Sequence, residues 1–562
     1  MNTIQKIYNK YFLVITSLFL FAFLCFWGKQ GFDLTDEGFV LYYYQHFMPN
    51  EEVGCGMYLT YLIGSIWNCI AGWGGWYNFR ILNALLLVSV YVIIYLLLYE
   101  FRRYKHWIFI ASFLVILNML MEHGMLVFHY YTASTFFNCL IAYLLFTGFI
   151  NKNHKKILIC SFILGMNVFI RIPNLTLLII PYVLIGLNYI YDKDIQSSMR
   201  TTILCTIGIL LGIAFVLFIM ALLGHIPSLI NTFFSLSSSA SDDNSSHSIS
   251  NMLNWCVGQY WKIFFYSLII IGFVVLTKNL SRVTLKNNNY LYLIFQCLIF
   301  VIGIILIRKA KLFTSNRTLL IVALSCTALF YCCKKNIKDK NLILLSTIAV
   351  SIGFLQPLGS DGIFTNMGPY SIMVLEPTAC VVFMAKGFPY AQLTTTRHLV
   401  ITIIFFLCSW FTYYTWQHCY RDEGKRIEKT YTIKNSTFAT VLTSKERACS
   451  IDKILNIINE KYAKKPIAFI PDIPGLYAIS RKEAFFKNRP WPMLLQPELF
   501  VHEFQNACKQ KGVPVIVLHK KYMKSKKRTV AYFEKNFHYI LAKHKYILIW
   551  QDSSFAIYFT SK

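Results

Sequence analysis

The chain has 562 residues, 56% of them hydrophobic and only 14% charged, against about 25% charged in an ordinary soluble protein. That deficit excludes a soluble single-domain enzyme, a disordered chain and a collagen-like one. The formal net charge of +28 is unevenly spread: residues 1–415 hold 27 basic and 14 acidic side chains, residues 416–562 hold 27 and 12. The expectation is a polytopic α-helical membrane domain over 1–415 and a small basic soluble domain over 416–562.

A membrane span needs about 20 apolar residues. Candidates lie near 11–28, 80–99, 107–121, 132–150, 157–170, 175–190, 201–223, 255–277, 290–307, 319–333, 342–355, 370–385 and 399–415. The first reads as a signal anchor, because Phe26-Trp27-Gly28-Lys29 is no small-residue cleavage site. With the N-terminus cytoplasmic, 19 of the 27 basic residues before Trp416 fall on inside segments, as the positive-inside rule requires. About thirteen crossings then place the C-terminal domain outside. The run 58–72 is short, and counting it would invert every later loop, so it reads as an interfacial helix. The loop 225–254, rich in Ser, Asp and Asn over Ser235–Ser250, reads as mobile.

The C-terminal domain reads as α/β. Thr443-Ser444-Lys445-Glu446 has capping-box form. Pro466–Pro471 and Val513–Leu518 have strand length, and Tyr546–Trp550 and Phe555–Phe559 flank a turn as a hairpin. The sixteen cysteines include no CxxC pair, so no structural metal is expected. Cys55, Cys419, Cys449 and Cys508 lie in polar stretches where a disulfide has room to form, with no pairing favoured. The basic run Lys520–Arg528 suits anionic lipid or glycan as well as a solvated helix face. Nucleic acid is not an expected partner of a domain on the outer side.

The stretch richest in chemistry follows the first span. Gly31-Phe32-Asp33-Leu34-Thr35-Asp36-Glu37-Gly38 packs three carboxylates into five positions where a helix leaves the membrane. An acidic Asp36-Glu37 in the first outer loop, interfacial helices after it and Arg80 opening the next full span resemble the GT-C superfamily. These polytopic glycosyltransferases use polyprenyl-phosphate sugars, and they include the protein O-mannosyltransferase and lipid A aminoarabinose transferase families. The layout resembles them along the whole chain, with an outer α/β domain after about thirteen spans. In residues the resemblance is confined mainly to Asp36-Glu37 and Arg80.

The resemblance implies hexosyl or pentosyl transfer from a polyprenyl-phosphate donor to a glycan, lipid or protein acceptor, at the outer face of a bacterial cytoplasmic membrane. Such transfer needs a carboxylate to take the acceptor's proton and cations or amide donors to meet the charge growing on phosphate. Asp36 is the candidate base, with Glu37 assisting, binding acceptor or holding the loop. Arg308, Lys309, Lys311 and Arg317 form a basic loop on the side where the positive-inside trend expects few, and with Arg171 are the candidate phosphate contacts. Asp33, Arg80, Glu122, His123, His129, Tyr130 and Asp361 are candidate contacts for sugar or acceptor. A divalent cation (Mg or Mn) has candidate ligands in Glu122, His123 and His129, without metal spacing. Two other readings are an O-antigen-type polymerase or ligase and a glycolipid flippase. The first expects Arg in a large outer loop, and 224–254 has no Arg or Lys. The second expects internal repeats.

Overall fold

The computed structural model describes residues 3–122, 125–241, 248–284, 317–360, 363–365, 367–387, 409–410, 412–486, 490, 497–523 and 528–560. From the N-terminus run α1 (Thr3–Gly28), α2 (Asp36–Gln45), α3 (Tyr58–Ala71), α4 (Gly75–Leu97), α5 (Lys105–Glu122), α6 (Tyr130–Ile150) and α7 (His154–Asn167). They are followed by α8 (Ile180–Asp192), α9 (Ile195–Leu222), α10 (Ile226–Ser241), α11 (Ile249–Thr284), α12 (Arg317–Lys335), α13 (Lys340–Leu355) and α14 (Gly368–Val382). Among the described residues, eight helical stretches are long and apolar enough to cross a membrane, and α13 is a shorter apolar helix. The candidate span 290–307 and most of 399–415 lie outside the described residues.

The packing of α9 shows what kind of solvent the bundle is built for. Its buried side holds Ser198, Thr201, Cys205, Gly208 and Gly212, while Ile203, Ile207, Leu210, Leu211, Phe215 and Phe218 are exposed. Ile209, Val216 and Met220 share the buried side, but small residues at the closest contacts and large apolar ones outward are the arrangement of a helix in lipid, where close backbone packing replaces the hydrophobic drive. A Cβ on Gly212 would stand 2.0 Å from the Phe162 carbonyl oxygen, and one on Gly165 would stand 2.2 Å from that of Ile209. The chain is a multi-pass helical membrane protein.

One expectation needs correction. The segment 225–254 is not an extended loop: Ile226–Ser241 is helical and α11 begins at Ile249. Ile226, Leu229, Ile230 and Phe233 recur at helical spacing, and that pattern outweighs the serine-rich end of the segment.

The C-terminal domain opens with a hairpin of β1 (His418–Cys419) and β2 (Asp422–Lys425) around the two-residue turn Tyr420-Arg421. After it come α15 (Lys445–Lys461), β3 (Ile467–Ile470), α16 (Gly475–Ser480), α17 (Pro497–Lys511), β4 (Val515–His519), α18 (Arg528–Lys543), β5 (Ile547–Gln551) and β6 (Phe555–Phe559). The sheet order is β3-β4-β6-β5, with β3 and β4 parallel and the other pairs antiparallel. The expected strands and final hairpin are therefore present, and Ser444 caps α15 by accepting from the Arg447 amide. Cys55, Cys419, Cys449 and Cys508 are all free.

Strand alternation divides this domain's core. Ala468, Ile470, Ile516 and Leu518 pack under α17 and α18 with Phe500, Phe504, Phe533 and Phe537. Ile467, Phe469, Val515 and Val517 face the other way, into a cluster that includes Phe32, Leu34, Val40 and Tyr44 from the segment around α2. One apolar core thus runs from the membrane domain into the C-terminal domain.

The glycine seam carries a prediction. Gly212→Ala should lower the stability of the detergent-solubilised protein by about 1–3 kcal/mol, the cost of overpacking. Gly258→Ala, where an added Cβ meets nothing within 4 Å, should raise it by about 0.5–1 kcal/mol. Thermal unfolding of the two variants checks both signs.

Candidate active site

The site starts from an unsatisfied helix end. The last carbonyls of α1 have no partners within the helix, and two arginines supply them. Arg80 donates Nη1 to Gly28 O (2.9 Å) and Gln30 O (3.2 Å), and Nη2 to Gly31 O (2.7 Å). Arg426 donates Nη1 to Trp27 O at 3.0 Å and Nε to Thr415 O at 2.8 Å. Cations also suit the negative end of the helix dipole. Gly31 then turns the chain at φ 91° with Cys419 Sγ 3.3 Å from where a Cβ would stand, so no larger residue fits there.

Arg80 is one partner of Glu37, whose carboxylate is fully engaged. Its Oε2 accepts from Arg80 Nη2 (2.5 Å) and Trp76 Nε1 (2.8 Å), and its Oε1 from the amides of Leu126 (2.7 Å) and Val127 (3.2 Å). Both members of the ion pair are buried, 3% and 1% exposed. Of the roles expected for Glu37, holding the loop is the one these four donors suit. Asp33 is also spent on backbone. Its Oδ1 accepts from Thr35 N (2.8 Å), and its Oδ2 from Asp36 N (3.1 Å) and Glu37 N (3.0 Å), capping the start of α2. Burial, reinforced by the Asp36 charge, pushes the Asp33 carboxyl up to about 7 against the opposing pull of Arg421.

Asp36 differs from both neighbours. Its side chain is 23% exposed. Its Oδ2 accepts from Tyr420 Oη at 2.6 Å and faces Arg421 Nη2 at 3.1 Å. Burial and then the Asp36 charge raise the Tyr420 phenol, which keeps its proton and remains a donor. Burial draws the Arg421 guanidinium down, but Asp36 and Asp33 outweigh it and raise it.

Tyr420 and Arg421 form the turn of the β1–β2 hairpin, so the C-terminal domain delivers them to Asp36. A second buried ion pair locks that hairpin down. Asp422 Oδ1 accepts from Lys429 Nζ at 3.0 Å, and its Oδ2 from Phe32 N (2.9 Å) and Thr443 Oγ1 (2.8 Å). Nearby, Gly31 N donates to Leu442 O (2.9 Å) and Leu442 N to Lys29 O (2.8 Å). On the far side of α2, Gly475 N donates to Leu34 O at 2.7 Å, and a Cβ on Gly38 would lie 2.3 Å from Gly475 Cα.

The other predicted residues divide. Because Glu37 holds the amides of residues 126 and 127, the start of α6 is drawn beside α2, and Tyr130 lies within electrostatic reach of both Asp36 and Arg171. Arg171 is buried and donates to Gln356 O (3.1 Å) and Leu358 O (3.4 Å), so two motifs far apart in the chain meet here. His129 is buried at the start of α6, its Nδ1 2.8 Å from Val127 O. Arg317 opens α12 with Nη1 3.9 Å from Met121 Sδ at the end of α5. Glu122 closes α5. His123, Asp361, Arg308, Lys309 and Lys311 lie outside the described residues.

At this site a divalent cation finds few ligands among the described residues. Among the described residues no group of three His, Cys, Asp or Glu is arranged to hold a metal. Asp33 and Glu37 have both oxygens occupied, and Arg421 supplies positive charge beside Asp36.

Stability should separate the two adjacent acids. Glu37→Gln leaves Arg80 buried without its counter-ion and should cost about 3–5 kcal/mol. Asp36→Asn, in a partly solvated pair, should cost about 1 kcal/mol or less. Denaturation of the purified variants measures both.

No protein-family model matches the chain, and no curated protein sequence matches it. Solved structures do. An oligosaccharyltransferase of Archaeoglobus fulgidus, solved with Zn and sulfate, aligns with a TM-score of 0.52 at 11% identity, over 97% of this chain and 72% of its own. The archaeal oligosaccharyltransferase AglB from the same organism, solved with an inhibitory peptide and a dolichol-phosphate, gives 0.50 at 11% identity over 100% and 75%. ArnT from Cupriavidus metallidurans, bound to undecaprenyl phosphate, gives 0.49 at 10% identity over 97% of each chain. The two oligosaccharyltransferase alignments show that the chain shares the overall fold of those membrane proteins, as the resemblance in layout led one to expect.

Proposed function

We propose that the chain is an inverting membrane glycosyltransferase that moves a sugar from a polyprenyl-phosphate carrier to an acceptor hydroxyl, with Asp36 as base. The observation that carries this reading is the contrast among three acids. Asp33 and Glu37 have both oxygens engaged, whereas Asp36 has one oxygen anchored by Tyr420 and Arg421, and its Oδ1 has no hydrogen bond among the described residues. A carboxylate fixed at one oxygen presents the other in a set direction, which is what proton abstraction needs.

In the step, the acceptor oxygen bonds to the anomeric carbon as the bond from that carbon to the phosphate oxygen breaks. The phosphate keeps the electron pair, and the acceptor's proton passes to Asp36 Oδ1. Phosphate is already a good leaving group, so the need is for cations near its growing charge. Arg421, 41% exposed, supplies one beside Asp36, and Arg171 a second beside Tyr130. Arg308, Lys309, Lys311 and Arg317 join the reading as phosphate contacts on the strength of their sequence position. The dolichol-phosphate in the AglB complex and the charge bias of the loops support a lipid donor used at the outer face of a cytoplasmic membrane.

Turnover of radiolabelled polyprenyl-phosphate hexoses by the purified chain tests this. Asp36→Asn should lower kcat by about 10²–10⁴-fold with donor binding retained. Arg421→Ala should lower it by about 10²–10³-fold, as expected on removing one charge-stabilising donor. Unchanged turnover in Asp36→Asn would sink the assignment.

A further inference from the structure

The C-terminal domain brings a second polar group to the first outer loop. Strands β3 and β4 run parallel and end side by side, at Ile470 and His519. The carboxyl ends of parallel strands are where open α/β sheets bind ligands. By alternation Val515, Val517 and His519 share one face of β4, and the two valines pack in the cluster that holds the segment around α2. His519 therefore ends its strand on the side of the sheet that meets the Asp36 loop.

The imidazole is held from two sides. Its Nδ1 lies 2.8 Å from Asp472 Oδ1, and its ring stacks on Phe555 at 5.2 Å. Asp472 is itself buried, and its carbonyl accepts from Thr35 Oγ1 at 2.9 Å, one residue before Asp36. A carboxylate on Nδ1 fixes the proton there and leaves the Nε2 lone pair as an acceptor. Nε2 has no hydrogen bond among the described residues.

From His519 the contacts close a ring through Asp36. Asp36 faces Arg421 at 3.1 Å. Two residues on, Glu423 accepts from Lys521 Nζ, and Lys521 stands two residues after His519. Asp472 then joins His519 back to Thr35. Arg421, Glu423 and Lys521 are exposed, and Asp36 and His519 are half-buried, so the ring opens to solvent. Its two cations each meet a carboxylate already, Arg421 on Asp36 and Lys521 on Glu423. That leaves no surplus of positive charge for a phosphate or a uronate. What the ring offers is interleaved donors and acceptors, with His519 Nε2 and Asp36 Oδ1 among the acceptors. A sugar hydroxyl, donor and acceptor at once, suits such a set.

We propose that this ring is the acceptor subsite and that it takes a neutral, hydroxyl-rich saccharide. One hydroxyl donates to His519 Nε2, and the reacting hydroxyl lies at Asp36 Oδ1. The part given to Asp36 rests on the transferase reading, whereas the saccharide site is open to test by binding alone.

Retention of the full-length chain, in lipid nanodiscs, on an array of neutral, uronate-bearing and phosphorylated oligosaccharides tests it. Two substitutions separate holding Asp472 from binding sugar. His519→Asn keeps a donor where Nδ1 stands and loses the Nε2 acceptor, whereas His519→Gln sets an amide oxygen near the Nε2 position. The wild type should retain neutral oligosaccharides, and His519→Asn should bind them about tenfold more weakly, the loss of one hydrogen bond. His519→Gln should stay within about threefold of the wild type. Any other order among the three would overturn the site, as would retention of charged oligosaccharides alone or of none. Binding without sugar transfer from any polyprenyl-phosphate hexose would defeat the transferase reading and support the saccharide site. Transfer to a peptide or lipid acceptor at equal rates in wild type and His519→Asn would overturn the saccharide site and leave the transferase reading standing.

Discussion

The buried ion pair between Glu37 and Arg80 is the constraint around which the site is built. A carboxylate and a guanidinium out of water are costly unless every lone pair and proton is matched, and here the matching groups come from four segments. Arg80 spends Nη1 and Nη2 on the end of α1, with its buried Nε left without a hydrogen bond among the described residues, while Glu37 spends its acceptors on Trp76 and on the loop before α6. The pair therefore fixes the exit of α1, the entry of α2, the start of α4 and the start of α6 at one point. Asp36, one residue earlier, inherits that rigidity without being consumed by it. Adjacent acids have opposite fates: one is the peg, and the other keeps an oxygen with no hydrogen bond among the described residues.

The C-terminal domain is part of the same device. Its hairpin turn reaches Asp36, and the buried Asp422–Lys429 pair ties the hairpin to Phe32 and Thr443. With Gly38 in backbone contact with Gly475, α2 is clasped on two sides. Catalytic groups held by packing and second contacts keep their geometry, and a domain hinged loosely to the bundle would let Asp36 swing. The shared apolar core around Phe32, Leu34 and Phe469 makes such loosening expensive.

Much of this was legible in the sequence. The polytopic bundle followed from the charge deficit, the strands and hairpin of the C-terminal domain from alternation and turn residues, and the importance of the first loop from three acids in five positions. The division of labour among those acids was not legible, because it depends on which amides and arginines each one meets after folding. Tyr420 and Arg421 carried no local signal. They lie more than 380 residues from Asp36 and belong to no motif, and they are brought there by long-range contacts: the pairing of 29–31 with residue 442, Asp422 on the Phe32 amide and Arg426 on the Trp27 carbonyl. The reverse error occurred at 225–254, where serine content masked the helical spacing of Ile226, Leu229, Ile230 and Phe233. Arg171 stands out in the sequence as a candidate phosphate contact, but nothing near it says that the carbonyls of Gln356 and Leu358 would hold its guanidinium.

The central claim is that Asp36 faces the reacting carbon while Arg421 and Arg171 flank the phosphate. Electron cryomicroscopy of the full-length chain with a polyprenyl-phosphate hexose bound tests it most directly. The account predicts density for the sugar against Asp36 Oδ1, with the phosphate between the two guanidiniums and Tyr420 still on Asp36 Oδ2. A donor seated elsewhere, with Asp36 out of contact with the sugar, would contradict it.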